Sequence, residues 1–264
     1  MTEEILDPER HIPLTSIQNL RDLGGYTTTD GRTTRWRRFV RCAGMAALSD
    51  ADRQEMLDYG IRAVVDLRSK LDIENSPNPF ANLSDVAYHH HDLWGDRVSD
   101  FKSSKSSLTQ EEKMADLYRL GFVRCEGIIA KIMATLADEG DHASVFHCGA
   151  GKDRTGMIAA LLLGIVRVPH DTIAADYGLT DLYLADPKRD HQNPDPMFIP
   201  EEEAALQDSG RVPLPVYMFS CLPGAMLLAL AFLDEKYGGV EGYVRRIGLT
   251  DGQIERLRSK FLDG

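Results

Sequence analysis

Short apolar runs alternate with longer apolar stretches along much of the chain. Three runs of strand length lie at 62–67, 86–93 and 143–147, each bounded by polar residues or glycine. Short strands that alternate with helical stretches are typical of a parallel sheet covered by helices on both faces. The pattern therefore predicts an α/β fold with a mainly parallel central sheet.

Capping residues and glycines mark the ends of the predicted helices. A serine N-cap and a terminal glycine delimit a helix over 50–59. A threonine–glutamate capping box begins a helix over about 110–138, which we expect to break or bend near Gly121 or Gly127. Further helices are predicted over 155–166, 171–184, 224–237, 240–247 and 251–261.

Turn and loop residues occupy much of the remaining sequence. Asp30 and Gly31 form a turn dipeptide between β-prone runs, which predicts a hairpin over 26–40. Residues 94–110 are rich in Ser, Lys and Asp and are typical of a mobile loop. The segment 187–223 holds seven of the twelve prolines and predicts a long connector or a loosely packed helical excursion.

These segments suggest a single domain over 12–264, preceded by a flexible tail over 1–11. The proline-rich connector between two helical stretches suggests a helical lid over about 171–222. In parallel sheets ligands bind beyond the carboxyl ends of the strands. We therefore expect the lid to cover a site at that edge.

Composition narrows the function classes. The 264 residues are 43% hydrophobic, which suffices for one core, and the net charge of −11 argues against non-specific nucleic-acid binding. The N-terminus is acidic and lacks the apolar core of a signal peptide. The apolar stretches at 157–166 and 222–233 are shorter than the ~20 residues that span a bilayer. We therefore expect no integral membrane segment and a cytoplasmic protein, with specialised secretion left open.

Four widely spaced cysteines fit a reducing compartment better than a disulfide framework. Cys148 is the one with a chemical context. The other three, Cys42, Cys125 and Cys221, are core thiols in the simpler interpretation, and in the alternative one of them forms a protective disulfide with Cys148.

The context of Cys148 is the sequence His-Cys-Gly-Ala-Gly-Lys-Asp-Arg-Thr-Gly at 147–156. A strand precedes the cysteine and an apolar helix follows it, which is the setting of a phosphate-binding loop. Nearby cations and a helix N-terminus lower the pKa of a thiol and create a nucleophile. The predicted phosphate-binding residues are Gly149, Ala150, Gly151, Lys152, Asp153 and Arg154.

Each residue type in the loop has a physical reason. Small residues let the backbone curl around an anion, and the planar fork of Arg154 holds two phosphate oxygens. Lys152 adds a second positive charge. We expect Thr155 to donate a hydrogen bond to the cysteine sulfur, and His147 to hold the loop and tune the thiolate.

The loop resembles the signature of the cysteine-dependent protein tyrosine phosphatase superfamily: His-Cys, five residues, Arg, then Ser or Thr. The closer match is the bacterial branch of dual-specificity and lipid-active phosphatases, whose loops carry Ala-Gly-Lys-Asp-Arg-Thr. Similar stretches at 19–26, 39–41 and 64–69 follow the same order, and the resemblance covers most of 12–262. It implies a phosphatase-like fold and a thiol mechanism that needs no metal and no other cofactor.

The residue that acts as general acid has more than one candidate. Asp153 lies inside the loop, as in the bacterial branch, and is a candidate acid or else a carboxylate that braces the loop. Asp66 ends a strand and is a second candidate, although an ion pair with Arg68 is the simpler interpretation. Asp92 and Asp96 are weaker candidates next to the predicted mobile loop.

Two other clusters have simpler explanations. The triplet at 89–91 is three histidines, but neighbouring residues of a strand face opposite sides, so we expect no metal site. An arginine-rich run at 32–41 fits a solvated face with ion pairs. Its alternative is a docking surface for an anionic headgroup or phosphopeptide, and Arg41 lies in a family-like stretch that suggests a fixed role.

The sequence thus predicts a metal-independent phosphomonoester hydrolase that forms a phosphocysteine intermediate. Phosphotyrosine is the default substrate, and Lys152 extends the expectation to phosphoserine, phosphothreonine or phosphoinositides. The partners are then a phosphorylated protein or a phosphoinositide. The alternatives are a catalytically weak phospho-ligand-binding module and, less favoured by the Lys-Asp-Arg-Thr ending, an arsenate reductase or rhodanese-like thiol enzyme.

Overall fold

The computed structural model describes residues 5–95, 108–184 and 220–263. Within these ranges the chain forms strands and helices that alternate through the first two thirds of the sequence. The strands are β1 (Arg21–Asp22), β2 (Phe39–Cys42), β3 (Ile61–Asp66), β4 (Ala87–His90) and β5 (Ala143–His147). The helices are α1 (Asp50–Tyr59), α2 (Lys70–Asn75), α3 (Gln110–Arg124), α4 (Glu126–Asp138), α5 (Asp153–Ile165), α6 (His170–Leu184), α7 (Pro223–Tyr237), α8 (Val240–Arg246) and α9 (Asp251–Phe261).

The five strands form one sheet in the order β1-β2-β5-β3-β4. Only β1 runs antiparallel to its neighbour, and the other pairs are parallel. His147 at the end of the central strand β5 lies opposite Cys42 of β2 and Asp66 of β3. The predicted α/β fold with a mainly parallel sheet is confirmed, and three strands end side by side at one edge.

Alternation along the strands divides the interior between the two faces of the sheet. Val145 of β5 packs in the cluster on the α1 side, whereas the next residue, Phe146, packs in the larger cluster formed with α3–α9. Helix α5 is the centre of that larger cluster, and ten of its thirteen residues are buried. The helix that follows the predicted phosphate loop is therefore held rigidly against the sheet.

The helix boundaries follow the capping signals, and the predicted break in the long helix is confirmed. It falls at Cys125, between α3 and α4, four residues after Gly121 and two before Gly127. Gly121 is needed for close packing, because a Cβ there would lie 2.7 Å from Met157 and 2.8 Å from Trp94. Gly127 has open space around its Cβ position. Gly121 thus meets a packing requirement, and Gly127 does not.

The hairpin predicted over 26–40 is only partly present. A tight turn closes at Thr28–Gly31, and Thr27 bridges Thr33, but no extended ladder follows. Backbone hydrogen bonds cross the hairpin as far as Thr34, whose N–H donates to Tyr26 and whose carbonyl oxygen accepts from Gly25. The N–H of Arg35 donates to Phe261 instead, so the pairing ends there. Strand β1 and helix α2 were not predicted from the sequence.

The flexible tail predicted over 1–11 is wrong for residues 5–11. Ile5 is buried, and the fully buried Arg10 donates to the carbonyl oxygen of Gly24 at 2.7 Å. The Arg10 guanidinium also lies 3.5 Å from the ring centroid of Tyr26. These contacts make residues 5–11 part of the folded domain, and residues 1–4 lie outside the described ranges.

Most of the predicted lid and the predicted loop also lie outside the described ranges, at 185–219 and 96–107. The first part of the predicted lid is α6, which buries Ile173, Ala174, Tyr177 and Leu179 in the main core. That helix is therefore a structural element of the domain. In the described part of the chain, every helix is too short or too polar to cross a membrane.

Candidate active site

The loop at 148–152 connects β5 to α5 at the sheet edge where β2, β3 and β5 end. Lys152 occupies the N-cap position of α5, and its side chain makes no capping hydrogen bond. A lysine side chain has no acceptor, so it satisfies none of the N–H groups of the first helical turn. A helix N-terminus favours an anion, so the loop has the electrostatic setting of a phosphate site.

Gly151 fixes the shape of this loop. Its φ of +66° is in the left-handed region, and a Cβ would lie only 2.2 Å from the carbonyl oxygen of Cys42. The N–H of Gly44 donates to the carbonyl oxygen of Gly149 at 2.6 Å. The loop is therefore pressed against the segment that follows β2, and a side chain at position 151 would not fit.

Cys148 and Thr155 are in direct contact at the base of the loop. The Thr155 hydroxyl donates to Cys148 Sγ at 3.2 Å, as the sequence predicted. Both residues are buried, and Thr155 is fully so. A hydroxyl donor stabilises a thiolate more than a thiol, because hydrogen bonding to a charged acceptor is stronger.

Arg154 extends across the loop from the first turn of α5. Its Nη1 donates to the carbonyl oxygen of Leu67 at 3.4 Å and lies 3.8 Å from Asp72 Oδ2. A Cβ on Gly149 would lie 3.9 Å from its Nη2. Both contacts that hold the guanidinium are long, and its side chain is 18% exposed, so it remains available to an anion.

Asp153 precedes that arginine and faces a tyrosine. The Tyr118 hydroxyl donates to Asp153 Oδ1 at 2.8 Å, and the Tyr177 hydroxyl lies 2.5 Å from the Tyr118 hydroxyl. The Lys152 ammonium, which is almost completely buried, lies 3.7 Å from Asp153 Oδ1. The Asp153 side chain is 31% exposed, so the carboxylate is held on one side and open on the other.

His147 and Asp66 lie behind the loop, and both are fully buried. His147 Nδ1 is 3.0 Å from the carbonyl oxygen of Cys148, and Nε2 is 2.9 Å from Asn78 Nδ2 and 3.3 Å from Asp66 Oδ2. Arg68 binds Asp66 through Nη2 at 2.7 Å and Nε at 2.9 Å. The ion pair with Arg68, which was the simpler of the two interpretations, is what the geometry favours.

The charge state of Asp66 follows from these partners. Burial opposes the charged form, but His147 and Arg68 outweigh it and hold the pKa of Asp66 well below its ordinary value. A carboxyl group that stays ionised and has no exposed surface cannot deliver a proton to a leaving group. Asp66 therefore supports the strand end and His147.

A buried charge network holds the loop from below. Asn19 Nδ2 donates to the carbonyl oxygen of Gly151 at 3.0 Å, and Arg41 Nη2 donates to the same oxygen at 2.8 Å. Arg41 also pairs with Asp176 of α6 at 2.8 Å, as does Arg21 at 3.0 Å. Burial opposes the charge on Asp176, but the two arginines hold its pKa below the ordinary value.

Sequence reasoning missed several of these residues. Arg21 lies inside a stretch noted for its family resemblance, which was the available signal, whereas nothing in the local sequence distinguishes Asp176, Tyr118 or Tyr177 from other helix residues. Asp72 forms a capping box with its helix N-cap, and that local pattern does not reveal its second contact with the arginine of the loop.

The other candidate residues do not join the site. His89 pairs with Glu139. The next histidine along the chain contacts the carbonyl oxygen of Arg68, and the third contacts the hydroxyl of Thr135. No group of three metal-ligating side chains occurs within residues 5–95, 108–184 and 220–263. Asp92 accepts a hydrogen bond from the N–H of Gly95, and position 96 is outside the described residues.

Most of the arginine-rich run makes ion pairs with exposed aspartates. Arg32 pairs with Asp30, and Arg35 and Arg38 pair with Asp141. Arg41 is different, because it is fully buried in the network beneath the loop. The family-like position of Arg41 was therefore the better guide to its role than its basic neighbours.

A parallel sheet edge that presents Cys-x5-Arg on a strand–loop–helix unit defines the class of protein tyrosine phosphatases. The chain belongs to the tyrosine phosphatase family, whose model matches residues 12–263. It is 31% identical over 224 residues to a tyrosine-protein phosphatase of Nostoc commune, covering 84% of this chain and 74% of that protein. It is also 27% identical over 260 residues to the triple specificity protein phosphatase PtpB of Mycobacterium tuberculosis, covering 85% of this chain and 91% of that protein.

Proposed function

We propose that the protein hydrolyses phosphotyrosine through a phosphocysteine intermediate, without a metal ion. The contact that carries the proposal is the 3.2 Å hydrogen bond from Thr155 to Cys148 Sγ, at the start of a helix whose N-cap side chain makes no capping bond. This setting supports a thiolate at the focus of a phosphate-binding loop. The single catalytic domain extends over the residues that the family model matches.

In the first step the Cys148 thiolate attacks phosphorus, and the bond from phosphorus to the tyrosine oxygen breaks. Arg154 and the loop N–H groups bind the three equatorial oxygens of the transferring group. Asp153 gives its proton to the departing oxygen, which leaves as a neutral phenol. The 31% exposure of the Asp153 side chain beside this loop supports that role.

In the second step a water molecule attacks phosphorus, and the sulfur–phosphorus bond breaks. Asp153, now a carboxylate, accepts a proton from the water, and inorganic phosphate is released. The thiolate that leaves is stabilised by the Thr155 hydroxyl. Lys152 contributes a positive charge close to both Asp153 and the loop.

The range of substrates is the finer part of the proposal. The relative from Mycobacterium tuberculosis is named for triple specificity, and Lys152 is present in this loop. We infer that phosphoserine, phosphothreonine and phosphoinositides are also accepted. The added cation favours the phosphoinositides in particular, because they carry the largest negative charge. Comparing a phosphotyrosine peptide with a soluble phosphoinositide tests this, and no phosphate release from the second would confine the enzyme to protein substrates.

The cytoplasm is the compartment we propose. All four cysteines are unpaired and buried, which fits a reducing environment. Alkylation of the protein in freshly lysed cells, followed by mass spectrometry, should find the four thiols modified after unfolding. A stable disulfide between any two of them would contradict this proposal.

Phosphate release from p-nitrophenyl phosphate in excess chelator tests the central proposal. We expect turnover by the reduced native chain and none by Cys148→Ser, whereas Cys125→Ser, a buried thiol between α3 and α4, should keep native turnover. When turnover of a 32P-labelled phosphoester by the native chain is stopped by denaturation, 32P that remains on the protein would identify the phosphocysteine. If the native chain binds phosphate but does not release it from any ester, the phospho-ligand-binding module replaces the enzyme.

A further inference from the structure

Two buried tyrosines connect the core to the carboxylate of the loop. Tyr118 belongs to α3 and Tyr177 to α6, and their rings meet edge to face with centroids 5.9 Å apart. The Tyr118 hydroxyl donates to Asp153 Oδ1 at 2.8 Å and lies 2.5 Å from the hydroxyl of Tyr177. Two helices distant in sequence thus form a chain of two hydroxyl groups that ends on one oxygen of Asp153.

The direction of these hydrogen bonds is fixed by chemistry. Burial, followed by the negative charge of Asp153, raises the pKa of Tyr118 well above its ordinary value. Burial likewise raises the pKa of Tyr177. Both phenols therefore stay protonated at any working pH, and Tyr118 is a permanent donor to Asp153. Within the described ranges, the structure shows no side-chain hydrogen bond to the other oxygen, Oδ2.

We propose that Tyr118, supported by Tyr177, is a positioning residue that holds Oδ1 of Asp153 so that Oδ2 faces the reacting oxygen. The inference rests on the proposed role of Asp153 as acid and base. A donor on Oδ1 keeps the proton-bearing oxygen in one place and stabilises the carboxylate that forms when the proton leaves. The phenols never exchange a proton themselves.

A purely structural role predicts something different. Buried hydroxyl groups are generally paired, and two tyrosines that satisfy one another need no functional reason. Tyr243 provides the comparison, since it is fully buried and donates to the carbonyl oxygen of Phe122 at 2.7 Å. Removal of the hydroxyl group from Tyr243 or from Tyr118 leaves a buried hydrogen-bond partner unpaired. Only the removal from Tyr118 also changes the environment of Asp153.

The test is the value of kcat/KM for aryl phosphates whose leaving groups range from p-nitrophenol to phenol. This parameter reports the step in which the leaving group takes its proton. We expect Tyr118→Phe to lose about 10-fold with phenyl phosphate and less than about twofold with p-nitrophenyl phosphate, since a poor leaving group depends more on the acid. The basic limb of the pH profile should move to higher pH, because a carboxyl group without its hydrogen-bond donor keeps its proton to a higher pH.

Two control variants separate an effect on Asp153 from the general loss of a buried hydroxyl group. Tyr243→Phe should leave both the leaving-group dependence and the pH profile at native values. Tyr118→Phe added to Asp153→Asn should cause no further leaving-group effect, because the two residues act as a unit. A Tyr118→Phe loss that is equal for all leaving groups, with an unmoved basic limb, would overturn the inference.

Failure of the inference and failure of the proposed function give different results. If Asp153→Asn shows a strong leaving-group dependence and Tyr118→Phe shows none, the acid is correct and its positioning by tyrosine is wrong. If Asp153→Asn shows no such dependence, the proposed acid is wrong. Should Tyr118→Phe fail to fold, Tyr177→Phe is the second variant, because it keeps the Tyr118 hydroxyl that donates to Asp153. We then expect the basic limb of the pH profile to shift upward by a smaller amount. A native profile for that variant would count against the inference.

Discussion

Arg41 of β2 and Asp176 of α6 form a fully buried ion pair directly beneath the phosphate-binding loop. The same guanidinium donates to the carbonyl oxygen of Gly151 at 2.8 Å, so one residue links the loop to a distant helix. Arg21 makes a second pair with Asp176. The loop is thus supported by charges that have no contact with solvent, and its shape depends on all three being present.

Replacement of Arg41 by Met should destabilise the fold strongly. It leaves Asp176 buried with one cation in place of two, and the removal of one member of a buried pair typically costs about 3–5 kcal/mol. Urea unfolding monitored by circular dichroism gives the free energy of unfolding. The matched control is Arg53→Ala, which breaks a pair with the exposed Asp50 and should cost less than about 1 kcal/mol. Equal losses in the two variants would show that the buried network does not carry the stability assigned to it.

Replacement of Gly151 by Ala should abolish phosphate release and lower stability. The left-handed backbone disfavours any side chain, and the added Cβ would also overlap the carbonyl oxygen of Cys42 at 2.2 Å. Gly31 is the matched control, because its φ of +83° is also left-handed but its Cβ position is open. Gly31→Ala should cost about 1 kcal/mol of strain and leave phosphate release intact. A fully active Gly151→Ala would show that the loop tolerates a different shape.

The sheet, the phosphate loop and most helices could be predicted because their signals are local. The serine cap and terminal glycine mark the two ends of α1, and the strand, glycines and cations of the phosphate-binding loop all lie within 143–154. The support for that loop comes from α3 and α6, and no local pattern marks the residues that reach it. Asp176 is one acidic residue among many until the sheet brings Arg41 next to it.

The errors have a related cause. Residues 1–11 are predicted to be a flexible tail, but burial of the Arg10 side chain depends on Tyr26 and on carbonyl groups that it meets only in the fold. The hairpin predicted over 26–40 stops at Thr34 for the same reason, since Phe261 of α9 supplies the acceptor for the N–H of Arg35. Long-range partners override local preference at such positions.

Replacement of Thr155 by Val should slow the second chemical step more than the first. Without the hydroxyl donor the Cys148 thiolate is a poorer leaving group, and a hydrogen bond to a charged group is worth about 1.5–3 kcal/mol, or roughly 10–100-fold in rate. We expect kcat to fall by that factor, with a smaller change in kcat/KM. Rapid mixing with p-nitrophenyl phosphate should then show a burst of one nitrophenol per enzyme.

Thr155→Ser is the control for this effect, because it restores the hydroxyl at the cost of a methyl group. It should recover most of the native kcat and remove the burst. A Thr155→Val enzyme with native kcat, or a serine variant as slow as the valine variant, would mean that the contact with sulfur is structural only.

Lys260 should make the stability of the protein rise at alkaline pH. Its ammonium is buried over the ring of Phe39 and donates to Ser144 Oγ at 2.9 Å. Burial lowers its pKa to about 8, aided by Arg38 and opposed by Glu139 and Asp141. The unfolded chain, with a lysine pKa of about 10.4, therefore binds more protons between these values than the folded chain does.

The sign of the effect follows from that difference. The cost of folding around a charged lysine is fully present below about pH 8 and is relieved as the pH rises to about 10.4, by at most about 3 kcal/mol. Tyrosines and cysteines titrate in the same interval, so the quantity to measure is the native free energy of unfolding minus that of Lys260→Met. This difference should increase between pH 8 and 10.

Lys236→Met is the control, since that lysine is exposed and lies over the half-buried rings of Phe232 and Tyr237. Its free energy of unfolding should follow the native pH curve. A Lys260→Met curve parallel to the native one would show that the buried ammonium is as well stabilised in the fold as in water. The hydrogen bond to Ser144 and the ring of Phe39 would then offset the whole desolvation cost, and Lys260 would be a neutral part of the core.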